Sequence, residues 1–478
     1  MITTTKTETS NLKTEYNPGY VWLIALVAAL GGLLFGYDWI VISGTDLFYE
    51  AHFHLTTSLQ IGWAKSSALL GCLAGALLGG GLSDRFGRRR LLALSALLFA
   101  VSSVATGLAG TFGVFVFWRI IGGSAIGLAS NLSPLYIAEV APAGRRGRLV
   151  SLNQLTIVIG ILLAQFVNWR IGSLHPLPAQ ATAEQIAASW AGQTGWRWMF
   201  GVTAVPALVF LAGLCFVPES PRWLVRNGQS APARKVLQRI GGADYAVAAL
   251  AEIKGTLQNE TARVDVRDLL EPRMKTVLFL GVALAVLQQW CGINVIFYYA
   301  KDIFRESGFN VGDILLNIVF IGSVNLAATL VALQTVDRWG RRPLLLLGYG
   351  ALAVLFLGMG LGFAFHSRGV HMLALVLAAI AAYAVSLAPV TWVVISEIFP
   401  NRIRGAAMSV AVTALWIACF VLTFTFPCLN ATLGPAGTFW VYAAICAAGF
   451  VFLRRRLPET KNKTLEQIER DLVDGVSR

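Results

Sequence analysis

Apolar residues along this chain come in long unbroken runs, not in the alternation of half-buried strands or the one-sided stripes of soluble helices. Twelve such runs stand out, at roughly 20–45, 60–82, 91–109, 112–136, 150–169, 198–217, 276–300, 313–336, 343–365, 371–396, 406–429 and 437–453. An α-helix needs ~20 apolar residues to cross the hydrocarbon core of a bilayer, so each run predicts a transmembrane helix. The expected fold class is an all-α membrane protein of twelve spans. The first run is too long for a cleavable leader and passes through Gly36-Tyr37-Asp38 without a small-residue cleavage site. A β-barrel would show short alternating segments instead. The one long polar stretch, about 218–275, contains helical patches such as Ala231–Arg239.

The chain repeats itself. Asp84-Arg-Phe-Gly-Arg-Arg-Arg90 returns as Asp337-Arg-Trp-Gly-Arg-Arg-Pro343, Glu139-x-x-Pro142-x-x-x-Arg146-Gly147 returns as Glu397-x-x-Pro400-x-x-x-Arg404-Gly405, and Pro218-Glu-Ser220 returns as Pro458-Glu-Thr460. Three matches in the same order, at corresponding ends of corresponding spans, indicate a duplication. The predicted organisation is an N-terminal tail (1–19), a six-helix bundle (20–217), a linker (218–275), a second six-helix bundle (276–453) and a C-terminal tail (454–478). Two similar bundles can rock about a site at the bilayer midplane. No phosphate-binding loop is present, so a gradient rather than nucleotide hydrolysis would drive such motion.

Charge sets the orientation. With the N-terminus placed in the cytoplasm, the tails and loops on that side hold 31 of the 38 Lys and Arg residues. Arg170, Arg197, Lys301, Arg305 and Arg368 fall on the other side, and Lys65 and Arg119 lie within spans. That is the positive-inside pattern, and it puts both termini in the cytoplasm. The net charge of +13 therefore faces lipid headgroups and calls for no nucleic-acid partner. Charged residues are only 13% of the chain and mean hydropathy is +0.66, which excludes a soluble enzyme and a disordered protein. The six Cys are scattered without a CxxC pair, and no metal, cofactor or catalytic constellation is expected.

Polar groups inside spans mark candidate chemistry, because they are costly unless they face a cavity or a partner. Asp38 and Arg119 are the clear opposite charges within helices of the first half. A carboxyl in a low dielectric holds its proton more tightly, and a nearby guanidinium reverses that, so the pair can load and release a proton. A static buried ion pair is the alternative. Gln154, Gln288, Gln289, Asn294 and Asn325 form a neutral amide set with donors and acceptors for hydroxyl groups. Trp290, Phe297, Tyr298, Trp392 and Trp416 supply flat apolar faces beside them, and interhelical bonding among the amides is the competing reading. Lys65, about a turn from the end of the second run, is expected to snorkel outward. At the cytoplasmic side, Gly80 would let helices approach closely. Asp84, Arg85, Arg88, Glu139, Arg146, Glu219 and their counterparts Asp337, Arg338, Arg341, Glu397, Arg404 and Glu459 form a charge network able to hold that side shut.

Taken together, these motifs resemble the sugar porter family of the major facilitator superfamily over nearly the whole chain. The carrying pieces are Gly31–Asp38, Asp84–Arg90, Arg119–Gly123, Tyr136–Glu139, Asn153-Gln154, Pro218–Arg222, Gln288-Gln289, Gly292–Asn294, Tyr298-Tyr299, Asp337–Arg342, Ser396-Glu397 and Pro458–Lys461. The resemblance is greatest to bacterial sugar–proton symporters. It implies that Phe35, Gln154, Ile161, Gln288, Gln289, Asn294, Phe297, Tyr298, Asn325, Trp392 and Trp416 line a sugar site. By the same resemblance Asp38 is the proton carrier and Arg119 its partner. The implied function is import of a monosaccharide with a proton across a bacterial inner membrane by a single chain. Ile161 and Phe297 point to a hexose such as D-glucose. Two departures bear on the substrate: Ala388 stands where relatives often have Gly, and Leu415 where they often carry an amide. A facilitative uniporter of the same fold is the main alternative. A drug antiporter and a non-transporting sugar receptor rank below it.

Overall fold

The computed structural model describes residues 16–178, 181–259, 271–367, 369–399, 404–461 and 467. Among them the structure is helical throughout. The first six spans are α1 Pro18–His52, α2 Ser58–Phe86, α3 Arg88–Gly107, α4 Phe112–Val140, α5 Arg146–Gly172 and α6 Ala191–Leu214. Two linker helices follow, Pro221–Arg226 and Ser230–Asn259, the second broken at Gly241 and Gly242. Then come α7 Met274–Tyr298, α8 Val311–Trp339, α9 Arg341–Ala364 and α10 Val370–Ile398.

The last apolar segment, Gly405–Arg456, has 52 residues. As one helix it would be ~78 Å long, more than twice the ~30 Å of hydrocarbon it has to cross. The backbone leaves the helical region at Gly434 (φ 66°, ψ 173°), immediately before Pro435. The segment is therefore two helices, α11 (404–433) and α12 (435–456). Eleven described segments are long and apolar enough to span, and this division makes twelve.

Helix starts follow local chemistry. Asn17 caps α1, accepting from the Tyr20 amide at 3.1 Å, with Pro18 in the first turn. Thr57 and Gln60 form a reciprocal capping box on α2. Between the halves, α2 packs on α11 and α5 packs on α8. The repeat maps α2 onto α8 and α5 onto α11, so these are equivalent interfaces of one pseudo-symmetric arrangement. Trp63 of α2 meets Phe420 and Phe424 of α11 edge-on, with ring centroids 6.4 and 6.5 Å apart.

Three spans matter most for the site because they are bent or extended. α7 breaks at Gly292 (φ 86°) and again at Tyr299, where it gives way to a short helix, Ala300–Glu306. A Cβ at Gly292 would lie 2.8 Å from the Tyr442 ring, so both the left-handed backbone and the contact require glycine. α10 breaks at Ser386 (φ −117°, ψ −78°). Pro389, three residues on, lacks an amide hydrogen and would clash with the Val385 carbonyl in a regular helix. α1 runs on to His52, seven residues past the end of the first apolar run.

Candidate functional site

Asp38 and Arg119 meet in the middle of the first half, each only 2% exposed. Arg119 Nη1 donates to Asp38 Oδ1 at 3.1 Å, and Nη2 donates to the Asp38 backbone carbonyl at 3.4 Å. The guanidinium lies 5.4 Å from the Phe200 ring centre. Asp38 Oδ2 is buried and has no hydrogen-bond partner. One oxygen of the carboxyl is thus committed to the cation while the other is free to carry hydrogen.

The amide set gathers around the α7 break. Gln288 Nε2 donates to Tyr383 Oη at 3.1 Å, Gln289 Nε2 donates to Gln288 Oε1 at 2.8 Å, and Asn294 Nδ2 donates to Gln289 Oε1. The three amides and Tyr383 form one directional chain joining α7 to α10. Phe297 and Tyr298 lie on the piece of α7 between its two breaks and face Trp39 of α1, with ring centroids 5.6 and 5.1 Å away. Phe35 faces Trp416 at 6.2 Å. Three ring contacts thus join α1 to the second half at the site. Gln154 and Trp392 are half-buried, and Ile161 and Asn325 are buried at 5% exposure, on α5, α10 and α8. Leu415 is buried next to Trp416, and Ala388 is half-buried just past the α10 break.

Two residues of this cluster, Trp39 and Tyr383, are absent from the sequence-predicted set. Trp39 had a signal, since it sits four residues after Phe35 on the same helical face. Tyr383 had none. Trp290, by contrast, is 38% exposed and donates to the Ala418 carbonyl at 3.1 Å.

Lys65 does not snorkel. It is fully buried, bonds Asp46 at 2.6 Å and the Tyr298 carbonyl at 2.9 Å, and lies 4.0 Å from the Tyr299 ring centre. The break at Tyr299 leaves the Tyr298 carbonyl without its helical partner, and Lys65 takes it from the other half of the molecule.

At the basic end, the duplicated motifs fold into duplicated structures. Arg88 donates to both oxygens of Glu139, at 3.0 and 3.1 Å, and lies 3.2 Å from Asp84. Arg341 pairs with Glu397 at 3.1 Å. Glu219 accepts from the amides of Arg88 and Arg89 at the start of α3, and Glu459 accepts from those of Arg341 and Arg342 at the start of α9, all at 3.0–3.1 Å. Each glutamate thus caps a helix whose first amides have no intrahelical acceptor. Gly87 and Gly340, at φ 95° and 91°, turn the chain so that this cap can form. Arg226 adds a 3.0 Å bond to Asp84. Arg85 lies against the Phe86 ring, Lys461 donates to the Arg338 carbonyl at 2.6 Å, and Arg146 is exposed. The side chains of Asp337 and Arg404 lie outside the described residues. Gly80 faces open space, so the close approach expected there does not occur. The ion pairs of Arg88 with Glu139 and Asp84, of Arg226 with Asp84 and of Arg341 with Glu397 each stay within their own half or its linker. Those that join the halves lie at the opposite end.

A duplicated helical bundle with broken spans, a buried acid and an amide–aromatic cluster between its halves defines a membrane carrier of the major facilitator type. The profile of the family described as sugar (and other) transporter matches residues 24–472. The chain is 40% identical to the D-xylose-proton symporter of Escherichia coli, over 96% of this chain and 97% of that protein. It is 41% identical to the glucose transport protein of Synechocystis sp., over 95% and 97%. The partially occluded inward open conformation of the xylose transporter XylE from E. coli superimposes with a TM-score of 0.82 at 38% identity, covering 93% of this chain and 100% of that one. The chain belongs to the sugar porter family of the major facilitator superfamily. It is a multi-pass membrane transporter and not an enzyme.

Proposed function

We propose that this carrier imports a monosaccharide together with a proton across a bacterial inner membrane, by alternating access, and that its substrate is a hexose such as D-glucose. The observation that carries the proton coupling is the buried Asp38 carboxyl, held by Arg119 through one oxygen and unpartnered at the other. A proton arriving there neutralises the acid and weakens its hold on the guanidinium, and loss of the proton restores it. The chain of Gln288, Gln289 and Asn294, ending on Tyr383, offers hydroxyl-binding groups across the α7 break, with Gln154 and Asn325 adding amides from α5 and α8. Phe35, Ile161, Phe297, Tyr298, Trp392 and Trp416 supply the apolar faces. Broken helices at a midplane site are the expected setting for a transported substrate.

In this reading the basic end and both termini are cytoplasmic. The two bundles, 20–217 and 276–453, move as units about the site. The far end is closed here and the basic-end pairs are confined to their own halves, as in an inward-facing state. Regrouping of Asp84, Arg85, Arg88, Glu139, Arg146 and Glu219 with Asp337, Arg338, Arg341, Glu397, Arg404 and Glu459 would then close the cytoplasmic side.

The test is uptake of labelled D-glucose into vesicles under an imposed proton gradient, acid on the sugar side, with a protonophore control. Accumulation above equilibrium that the protonophore collapses is the expected result. Uptake only to equilibrium would make the protein a uniporter, and absence of uptake would remove glucose and bring D-xylose forward. Asp38→Asn should lose accumulation and keep sugar exchange; full accumulation by that variant would end the coupling role of Asp38.

A further inference from the structure

Five charged side chains from both halves meet at the end of the bundle opposite the basic loops. Lys65 of α2 places Nζ 2.6 Å from Asp46, 3.7 Å from Glu50 and 3.8 Å from Asp302. Lys301 bonds Glu50, and lies 3.8 Å from Asp302 and 3.9 Å from Asp46. Asp46 and Glu50 come from α1, whereas Lys301 and Asp302 come from the short helix after α7. The side chains of Lys65 and Asp46 are fully buried, that of Lys301 is 4% exposed, Glu50 13% and Asp302 32%. The cluster is therefore a closed contact between the halves.

Its charges do not balance. Three carboxylates face two ammonium groups, and among the described residues no further cation lies within 4.0 Å of them. The other groups packed here are Tyr49, Tyr298 and Tyr299, which are neutral phenols. Arg119, inward of the cluster, is committed to Asp38. Arg305 and Glu306 sit on the exposed side of the short helix. Asp46 Oδ1 and Glu50 Oε1 are buried without a hydrogen-bond partner. Asp302, at 32% exposure, keeps contact with water, and the enclosed acid Asp46 leaves Oδ1 without a donor, so a proton there satisfies an otherwise unpaired buried oxygen.

We infer that this cluster is the outer lock of the carrier and a second proton-binding site, holding one proton when closed and releasing it when open. Opening parts the halves, wets Asp46 and Glu50 and lets the protonated acid ionise. Closing therefore takes up a proton, and acidity favours the closed lock. The cluster faces only the outer side, so its proton returns to the side it came from. It sets the balance between conformations and is not carried with substrate.

The inference rests on the carrier reading for its orientation, but its test needs neither sugar nor gradient, so the two fail separately. The probe is a spin-label pair on Thr56→Cys and Asn310→Cys, exposed positions on the two sides of the lock, with Cys215 and Cys428 replaced by Ser. The full chain is reconstituted in nanodiscs in an Asp38→Asn background, which silences the other acid. Pulsed dipolar distances between pH 5 and 8 should show the closed fraction dominant at pH 5 and the closed-to-open ratio at least tenfold lower at pH 8. Asp46→Asn or Glu50→Gln leaves two acids against two lysines and should stay closed at every pH, and either variant suffices if the other fails to fold. Lys65→Met should open the lock at neutral pH, while Lys65→Arg should keep it closed. A pH-independent ratio in the Asp38→Asn parent, or an undiminished pH dependence in the Asp46→Asn or Glu50→Gln variant, overturns the proton site. A closed mouth in Lys65→Met overturns the lock.

Discussion

Gln289 stands in the middle of the bridge that runs from Tyr383 through Gln288 to Asn294, donating to one neighbour and accepting from the other. Replacing it by Ala frees Gln288 Oε1 and the Asn294 amide and removes one neutral hydrogen-bonding group. Such a bond contributes about 0.5–1.5 kcal/mol, so the sugar concentration for half-maximal uptake should rise roughly threefold to tenfold. Proton-driven accumulation at saturating sugar should persist. An unchanged half-saturation in uptake kinetics would take Gln289 out of the site. Individual residues are unevenly legible in the sequence. Asp38 and Arg119 stand out because charges of opposite sign are too costly to sit unpaired in apolar runs. Lys65 misleads because a lysine near a span end looks the same whether it reaches water or a buried acid. Its partners come from α1 and from beyond α7, and a single span cannot show them. Glu219 and Glu459 read as counter-ions of arginine side chains, yet their bonds go mainly to backbone amides, which carry no signal in residue type.

Elements are legible at their middles and poorly so at their ends. The first apolar run stops at 45 and the seventh at 300 because Asp46 and Lys301 lower the local hydropathy. The helical backbone continues past both, since the charges compensate one another across the halves. The lock therefore occupies the turns that hydropathy cuts off. The turns between α2 and α3 and between α8 and α9 are legible as a repeat, and their geometry says why glycine is fixed there. A Cβ at Gly87 would lie 2.4 Å from Glu219 Oε2, and one at Gly340 would lie 2.9 Å from Glu459 Oε2. Both positions also have positive φ. Gly87→Ala should lower the stability of the first half by about 1–3 kcal/mol, read as a fall in melting temperature in detergent. Gly81→Ala is the control, because that helical position faces open space and should be neutral or slightly stabilising. Equal melting temperatures for the two variants would show that the Glu219 cap carries no weight.

For the whole molecule, the duplication is legible from three motif pairs, but the conformational state is not. Sequence repeats specify equivalent interfaces, as between α2 and α11 and between α5 and α8, without saying at which end the halves are parted. The charge pairs that join the halves, of Lys65 with Asp302 and of Lys301 with Asp46 and Glu50, lie at the end opposite the basic loops. Gln154→Cys, with Cys215 and Cys428 replaced by Ser, should react with a membrane-impermeant thiol reagent in inside-out vesicles and resist it in right-side-out ones. Reaction from the outer face alone would show that the carrier rests in the opposite state.

The placement of Lys65 also bears on how the chain enters the membrane. A lone lysine or aspartate inserted at the middle of a span costs ~2.5–3.5 kcal/mol. Asp46 and Lys65 are 19 residues apart on neighbouring helices and in direct contact, so α1 and α2 can insert as a hairpin that carries its own counter-charge. Glu50 lies 3.7 Å from the same Lys65, but the lysine that bonds it directly, Lys301, emerges 251 residues later. The nascent first half therefore carries two acids that share one lysine, and the arrival of Lys301 supplies the second as the two bundles join.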